Sequence, residues 1–369
     1  MPIKRDFVSV QQGLATVAKG IENTSRIKVT QHDLPKISIV IPNLNGGDFI
    51  EEALLSILEQ GYPRSEIIII DGGSTDHSVE IIKKYEPQLK YWVSEPDRGQ
   101  AHAINKGLRH AIGELFDWTN SDDRIAPGTF WKVAKAFEEY PEAYAVCGYM
   151  TYFGGGHYQK PVRMTVFDKL EKTLVYGSLS GPSMYFRLNK FRELGELDER
   201  LHYCFDLEFW YRFIEKYGVG RLQFIDGNLS FFRLHPDSKT VGQLIKFGEE
   251  QYIIHRSVIQ SFGQIAVPLI PIESLNITSA YQRDWDFPNL NPTSFVALAM
   301  QQHLERMHVC LSFLSILKWF LISFKLSPLQ RNWRFYLLPL RAIRWKIITS
   351  SFVAKQEKLR RMFSPFHLT

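Results

Sequence analysis

Two adjacent carboxylates, Asp122 and Asp123, close the stretch Asn120-Ser121-Asp122-Asp123 just after the strand signal at 115–118. Side by side, such groups raise each other's pKa unless a cation or hydrogen-bond donors relieve them. A hard divalent cation, Mg²⁺ or Mn²⁺, fits oxygen ligands of this kind and commonly grips substrate phosphates too. The competing reading is an Asp-rich turn ahead of Pro127. A third acid, Asp206, heads the apolar and aromatic stretch 207–214. A carboxylate fixed there can take the proton of an attacking hydroxyl. The positive end of a helix would also lower its pKa, so the same residue can serve simply as a cap.

These side chains need elements to position them, and from Lys36 onward the sequence alternates strand and helix signals. Ile37-Ser38-Ile39-Val40-Ile41 is a buried-strand run stopped by Pro42. A helix follows, with Asp48 and Glu51 in a capping arrangement, Ile50, Leu54, Ile57 and Leu58 as its apolar stripe, and Gly61 at the C-terminal cap. A second buried strand, 67–70, runs into Asp71-Gly72-Gly73-Ser74-Thr75-Asp76, after which Val79, Ile82 and Tyr85 continue as a helix. Strand, helix, strand and helix within about fifty residues predict right-handed βαβ units and a parallel sheet. The pattern continues through Tyr91-Trp92-Val93, a turn at 95–99, a helix through Asn105 and a strand at 115–118. It becomes less regular after Pro141, with Gly154-Gly155-Gly156 as a loop and a helix over 207–217. Ligands of open α/β sheets bind beyond the carboxyl ends of the strands, where loops and helix N-termini converge. The polar clusters fall at those ends: Pro42-Asn43-Leu44-Asn45, Asp71, and Asp122-Asp123.

The whole chain carries a net charge of +5, yet the segment 325–369 alone carries +9, which leaves −4 for everything before it. A basic excess confined to one end argues against a nucleic-acid-binding body and for a tail that meets something anionic. In that tail Leu340, Ile343 and Ile347 recur at helical spacing among Arg341, Arg344 and Lys346, with Trp345 beside them. An amphipathic basic helix of this type suits an anionic membrane surface, and the alternative is a helix packed on the main domain. The apolar stretch 309–317 ends at Lys318, short of the roughly twenty residues a spanning helix needs. Cys147, Cys204 and Cys310 have no metal-type spacing, and no apolar run follows the first charges. Both features point to a reducing, cytoplasmic location.

Residues 36 to about 240 resemble the family 2 nucleotide-sugar glycosyltransferases of the GT-A fold. The segments that carry the likeness are Ser38 to Asn45, Asp71-Gly72-Gly73-Ser74-Thr75-Asp76, Asn105-Lys106-Gly107, Asn120-Ser121-Asp122-Asp123 and Phe205-Asp206-Leu207-Glu208-Phe209-Trp210. The resemblance implies that Pro42, Asn43, Asn45, Asp71, Asn105, Asn120 and Asp122 line the donor site. It further implies that Asp122 and Asp123 hold the metal and that Asp206 is the general base of an inverting transfer. Phe232-Arg233-Leu234-His235-Pro236-Asp237-Ser238-Lys239-Thr240 resembles an Arg-x-His-x-x-Ser-x-Thr stretch of a subset of the family. There His235 would complete the metal shell or touch the diphosphate, and Lys239 would neutralise the leaving group. Two departures stand out. Gly72 replaces the second aspartate of a pair that often reads the nucleobase, and Asn120 replaces an acid at the start of the metal motif.

The expected architecture is therefore α/β, a mostly parallel GT-A sheet flanked by helices, with a helical basic C-terminal extension. Residues 1–34 are expected as an extension, 35–245 as the catalytic domain and 246–369 as a helical, membrane-associating region. The expected partners are a nucleotide-diphosphate sugar, a glycan or lipid-linked acceptor and an anionic membrane surface, with no nucleic acid. The expected place is peripheral, at the inner face of the cell membrane. A processive polysaccharide synthase is disfavoured by the lack of a Gln-x-x-Arg-Trp motif and of spanning helices. A nucleotidyltransferase would need a Gly-rich, Arg-containing loop after Ile41, and a dehydrogenase a Gly-x-Gly-x-x-Gly after the first strand. A non-catalytic binding module would have no use for Asp122, Asp123 and Asp206 together.

Overall fold

The computed structural model describes residues 34–154, 157–163, 165–177, 183–263 and 281–307. The extension at 1–33, the glycines 155–156 and the basic tail fall outside these residues.

The described elements run β1 (Ile37–Asn43), α1 (Ile50–Leu58), β2 (Ser65–Asp71), α2 (Ser78–Lys84), β3 (Tyr91–Ser94), α3 (Gln100–His110), β4 (Leu115–Trp118), β5 (Arg124–Ile125), α4 (Thr129–Glu139) and β6 (Ala145–Gly154). They continue with β7 (His157–Tyr158), β8 (Val162–Arg163), α5 (Leu170–Tyr176), β9 (Met184–Arg187), α6 (Leu188–Leu194), α7 (Phe205–Tyr217), β10 (Leu222–Arg233), α8 (Lys239–Gly242), α9 (Leu244–Ser261) and α10 (Pro292–Met307). The strands form one sheet in the order β3-β2-β1-β4-β9-β6-β10-β5, with β7 and β8 added beside β6. As the alternation predicts, β3, β2, β1 and β4 are parallel neighbours. Past β4 the sheet is mixed: β9 lies antiparallel between β4 and β6, and β10 runs parallel to β6. The sequence is hard to read there because β10 is interrupted by a bulge around Asn228, which breaks the period of two that marks a strand.

All seven residues of β1 are buried, as a strand covered on both faces must be. Alternate residues Val40, Ile68, Ile70, Phe116 and Trp118 join one apolar cluster with Ile104 and Leu108 of α3 and with Phe209, Trp210 and Phe213 of α7. Each such side chain contributes about 1.5–3 kcal/mol when fully buried, so α7 is fixed firmly against the sheet. Tyr252, Ile254 and Val258 of α9 and Phe295 of α10 belong to the same cluster. α9 and α10, expected as the start of a separate C-terminal region, thus share the core of the sheet domain, and the boundary expected at 245 falls in the first turn of α9.

One local expectation is corrected. The first turn of α1 has no side-chain cap, and the amides of Phe49 and Ile50 instead donate to the Gly46 carbonyl. A backbone turn does what Asp48 was expected to do. Gly61 does close the helix in a left-handed conformation, at φ 57°.

Candidate active site

β1 and β2 end level with each other, Asn43 opposite Asp71. Asp71 is fully buried and accepts from Asn43 Nδ2 (2.6 Å), Ser74 Oγ (2.5 Å), Ser74 N (2.9 Å) and Ser94 Oγ (2.6 Å). Burial alone would raise its pKa, but these bonds from Ser74, Ser94 and Asn43 outweigh it and hold the carboxyl below the usual range. Asn45 adopts the left-handed region at φ 52°, where its Oδ1 accepts from the Thr75 amide (2.9 Å) and offsets the strain. The loops after β1 and β2 are thereby tied into one floor. Pro42, paired with Ile70, stiffens the strand beneath it. Asn43 Oδ1 is buried with no hydrogen-bond partner. It lies 2.3 Å from where a Cβ on Gly46 would stand, with Ser121 Oγ 2.7 Å from the same point, so only glycine leaves this gap open.

The acid pair is positioned by β5, whose Ile125 and Arg124 pair antiparallel with Ser230 and Phe231 of β10. Two residues further along the same ladder, Asp122 and Asp123 meet the end of β10. His235 Nε2 stands 3.0 Å from Asp122 Oδ2, across 113 residues of sequence. Arg233 donates its amide to Asp123 Oδ1 (2.9 Å) and its Nε to the Asp122 carbonyl (2.8 Å), while its guanidinium also pairs with Glu52. The His235 ring packs against Phe49, centroids 4.7 Å apart.

Asp123 and Asp122 differ in kind. Asp123 is 1% exposed, and its second oxygen accepts from Asn120 Nδ2 at 3.0 Å, so both oxygens are already used in holding the loop. Burial, then the neighbouring Asp122 charge, push its pKa well above the usual carboxylate value. Asp122 remains partly open. Among the described residues no three His, Cys, Asp or Glu side chains converge as a metal cage. The residues that could meet a cation here are Asp122 and His235, with Asp123 behind them.

A chain of amides leads from the pair toward Lys239. Gln100 Nε2 donates to Asn120 Oδ1 (2.6 Å), and Lys239 Nζ donates to Gln100 Oε1 (3.2 Å) and the His202 carbonyl (3.1 Å). The crowding of Lys239 lowers its pKa, and the carboxylates of Glu250, Asp206, Asp122 and Asp97 act against that. Lys239 thus stands among the acids of four separate segments. Asp206 lies in the first turn of α7, with Oδ1 on the Leu207 amide at 2.8 Å. The void beside Gly72 is filled by Asp97, whose Oδ2 lies 2.6 Å from the position of an absent Cβ. Sequence inspection placed Asp97 in a turn and Gln100 in a helix. Only their approach from across the sheet brings them to the site.

Asn105 does not join this group. It is fully buried, bonds both the amide and the carbonyl of Leu197, and reaches Glu199 Oε1 at 3.1 Å. Its amide is consumed in pinning the loop that leads to α7, so the expected donor contact is replaced by a strut.

A mixed, mostly parallel sheet with acids, amides and a lysine gathered beyond the carboxyl ends of β1, β2 and β4 defines a GT-A type nucleotide-sugar transferase fold. Residues 38–213 match the family described as Glycosyl transferase family 2, and this stretch is a glycosyl transferase family 2 domain. An uncharacterized glycosyltransferase of Rickettsia typhi is 28% identical over 224 residues, covering 58% of this chain and 69% of that protein. Another, from Mycobacterium tuberculosis, is 39% identical over 93 residues, covering 25% of this chain and 36% of the relative. The chain spans only about a third of the Rickettsia felis and Rickettsia conorii relatives it also matches, 35% and 34% of their lengths. Among solved structures, S. aureus TarS 1-349 in complex with UDP aligns with TM-score 0.53 at 19% identity, covering 88% of this chain and 91% of that one. The mannosyltransferase PcManGT from Pyrobaculum calidifontis, in complex with GDP-Man and Mn2+, aligns with TM-score 0.50 at 17% identity, covering 92% and 95%. At these identities the likeness establishes the fold.

Proposed function

We propose that the chain transfers a sugar from a nucleotide-diphosphate sugar to a hydroxyl, with inversion, using Asp206 as general base and a divalent cation at Asp122. The observation that carries this reading is the 3.0 Å approach of His235 to Asp122, with Lys239 within the electrostatic reach of both Asp122 and Asp206. A family 2 domain and the nucleotide-bound neighbours, with UDP in one and GDP-Man and Mn2+ in the other, support it.

In this reading the nucleoside rests on the floor made by Asn43, Asn45 and Asp71, with the open Asn43 Oδ1 as an acceptor for it. Asp97, beside Gly72, supplies the acid that the second position of the motif lacks. Asp122 and His235 present one oxygen and one nitrogen in a partly open position, which fits a cation whose remaining ligands are diphosphate oxygens. When bound, the cation supplies charge neutralisation to the departing nucleoside diphosphate. Lys239 adds a second positive charge on that side. The Asp206 carboxylate receives the acceptor hydroxyl's proton as the oxygen attacks the anomeric carbon. The acceptor is proposed to be a lipid-linked glycan in surface-polysaccharide assembly, handled at the inner face of the membrane. That proposal rests on the basic tail in the sequence and on analogy with the family.

Calorimetry and turnover test the assignment together. Asp122→Asn and His235→Ala are expected to weaken Mn²⁺-dependent nucleoside-diphosphate binding, while Asp206→Asn abolishes transfer with donor affinity nearly intact. Undiminished metal-dependent binding in both of the first two variants would remove the cation site. Loss of donor affinity in Asp206→Asn would move that residue to the donor side.

A further inference from the structure

The segment just before α7 is held in an unusual way. The amides of His202, Tyr203 and Cys204 all donate to the carboxylate of Glu250, each at 2.8 Å. Glu250 comes from the middle of α9, more than forty residues downstream, and is 9% exposed. Three successive amides converging on one anion form a nest, the arrangement proteins otherwise use to bind phosphates and carboxylate ligands. The residue preceding α7, Cys204, makes no side-chain cap. The negative charge that this helix end calls for therefore arrives from another helix. Around it, Tyr203 Oη donates to Gln243 (2.7 Å) and Lys239 Nζ to the His202 carbonyl (3.1 Å).

A buried carboxylate is costly, and what meets Glu250 here is three backbone amides, with the Lys239 charge acting on it only from a distance. If the helix end needed only a cap, a serine or aspartate at the position of Cys204 would suffice at lower cost. What the remote carboxylate adds is position. It fixes the segment two residues before Asp206 to α9, the helix that follows the one begun by Lys239.

We propose that Glu250 is a positioning residue for Asp206, holding the start of α7 so that the base faces the acceptor hydroxyl at the right distance. The proposal rests on the reading of Asp206 as general base. Glutamine at this position keeps one acceptor oxygen but points two N–H donors at amides that are themselves donors, so the nest opens. A misplacement of the base by about 1 Å costs on the order of a hundredfold in rate while leaving the donor floor at β1 and β2 untouched.

The full-length chain is assayed with Mn²⁺ and a panel of UDP-, GDP-, dTDP- and CMP-sugars, following hydrolysis of the donor it turns over fastest. Water takes the place of the acceptor hydroxyl in that reaction and needs the same base. Glu250→Gln is expected to lower kcat about tenfold to a hundredfold with donor KM changed less than about twofold. Glu250→Asp, which keeps the charge, should recover part of kcat. Wild-type kcat in Glu250→Gln, or a loss of kcat and donor affinity by the same factor, overturns the proposal. Asp206→Asn, run in parallel, separates the readings. If it turns over normally, the base assignment fails and Glu250 has no base to position; if it is inactive while Glu250→Gln is normal, only the Glu250 proposal falls. Should Glu250→Gln not melt cooperatively, Glu250→Asp carries the same kcat and KM comparison, and failure of both to fold assigns Glu250 to stability alone and overturns the proposal.

Discussion

Residue type and residue role separate most clearly at Asn105. An amide on the helix after the third strand resembles a donor ligand in sequence, yet its oxygen accepts from the Leu197 amide at 2.8 Å and its nitrogen donates to the Leu197 carbonyl at 2.9 Å. Removing it leaves a buried backbone donor and acceptor unsatisfied, which costs about 1–3 kcal/mol. Asn105→Ala is therefore expected to lower Tm clearly while leaving nucleoside-diphosphate affinity near the native value. Loss of affinity without loss of stability, read by calorimetry beside a thermal melt, would return Asn105 to the donor site. Asp123 follows the same logic. Adjacent carboxylates in a sequence look equivalent, and it is the ladder to β10 that buries one and leaves the other partly open.

At the scale of the element, β4 carries a buried conflict. Asp117 is fully buried with no side-chain donor on either oxygen, and burial pushes its pKa well above the usual value, with only the Trp118 backbone amide acting against it. Beside it, the Tyr185 hydroxyl is buried without a partner, and its pKa is raised first by burial and then by the Asp117 charge. The folded state thus favours neutral Asp117, whereas the unfolded chain ionises it near its ordinary value. The resulting penalty is absent below a pH of about 4, grows as pH rises toward the folded pKa and is level above it. Asp117→Asn, which cannot ionise, is expected to be more stable than the native chain at neutral pH, with the gain shrinking as pH falls toward 4. Thermal melts across that range decide the point, and a pH-independent difference would mean that Asp117 does not change charge on folding.

The same scale explains what was legible in the sequence. β1, α1, β2, α2, β3, α3 and β4 were readable because each keeps one period from end to end and is punctuated by Pro42, Gly61 or Gly99. With them came the floor at Asn43, Asn45 and Asp71. β9 and β10 were not readable. The first runs antiparallel between β4 and β6, outside the strand–helix alternation, and the second carries its bulge in the middle. The contacts that complete the site, Arg233 with Asp123, His235 with Asp122 and Glu250 with the start of α7, all depend on where those later elements land. A single sequence shows their residue types and not their partners.

For the whole molecule, charge distribution and core disagree in a useful way. α9 and α10 are built into the same apolar cluster as the sheet, so the described part of the C-terminal third is structural. Among the described residues no helix is long and apolar enough to cross a membrane. The segment 325–369, outside the described residues, carries +9 while all that precedes it sums to −4. A body with net negative charge is repelled by an anionic surface, so any attraction must come from that segment. Each Lys or Arg close to such a surface contributes about 1 kcal/mol, screened as salt rises. Insertion of Leu340, Ile343 and Ile347 would add an apolar contribution that salt does not remove. The expected outcome is that the full chain co-sediments with anionic vesicles at low salt, weakly at high salt and not with neutral ones. A chain ending at Ser327 should lose this binding and keep nucleoside-diphosphate affinity. Equal partitioning of the two chains, or indifference to lipid charge, would end the membrane proposal. A truncated chain that no longer melts cooperatively would instead mean that the segment packs on the domain, with its basic face turned to solvent.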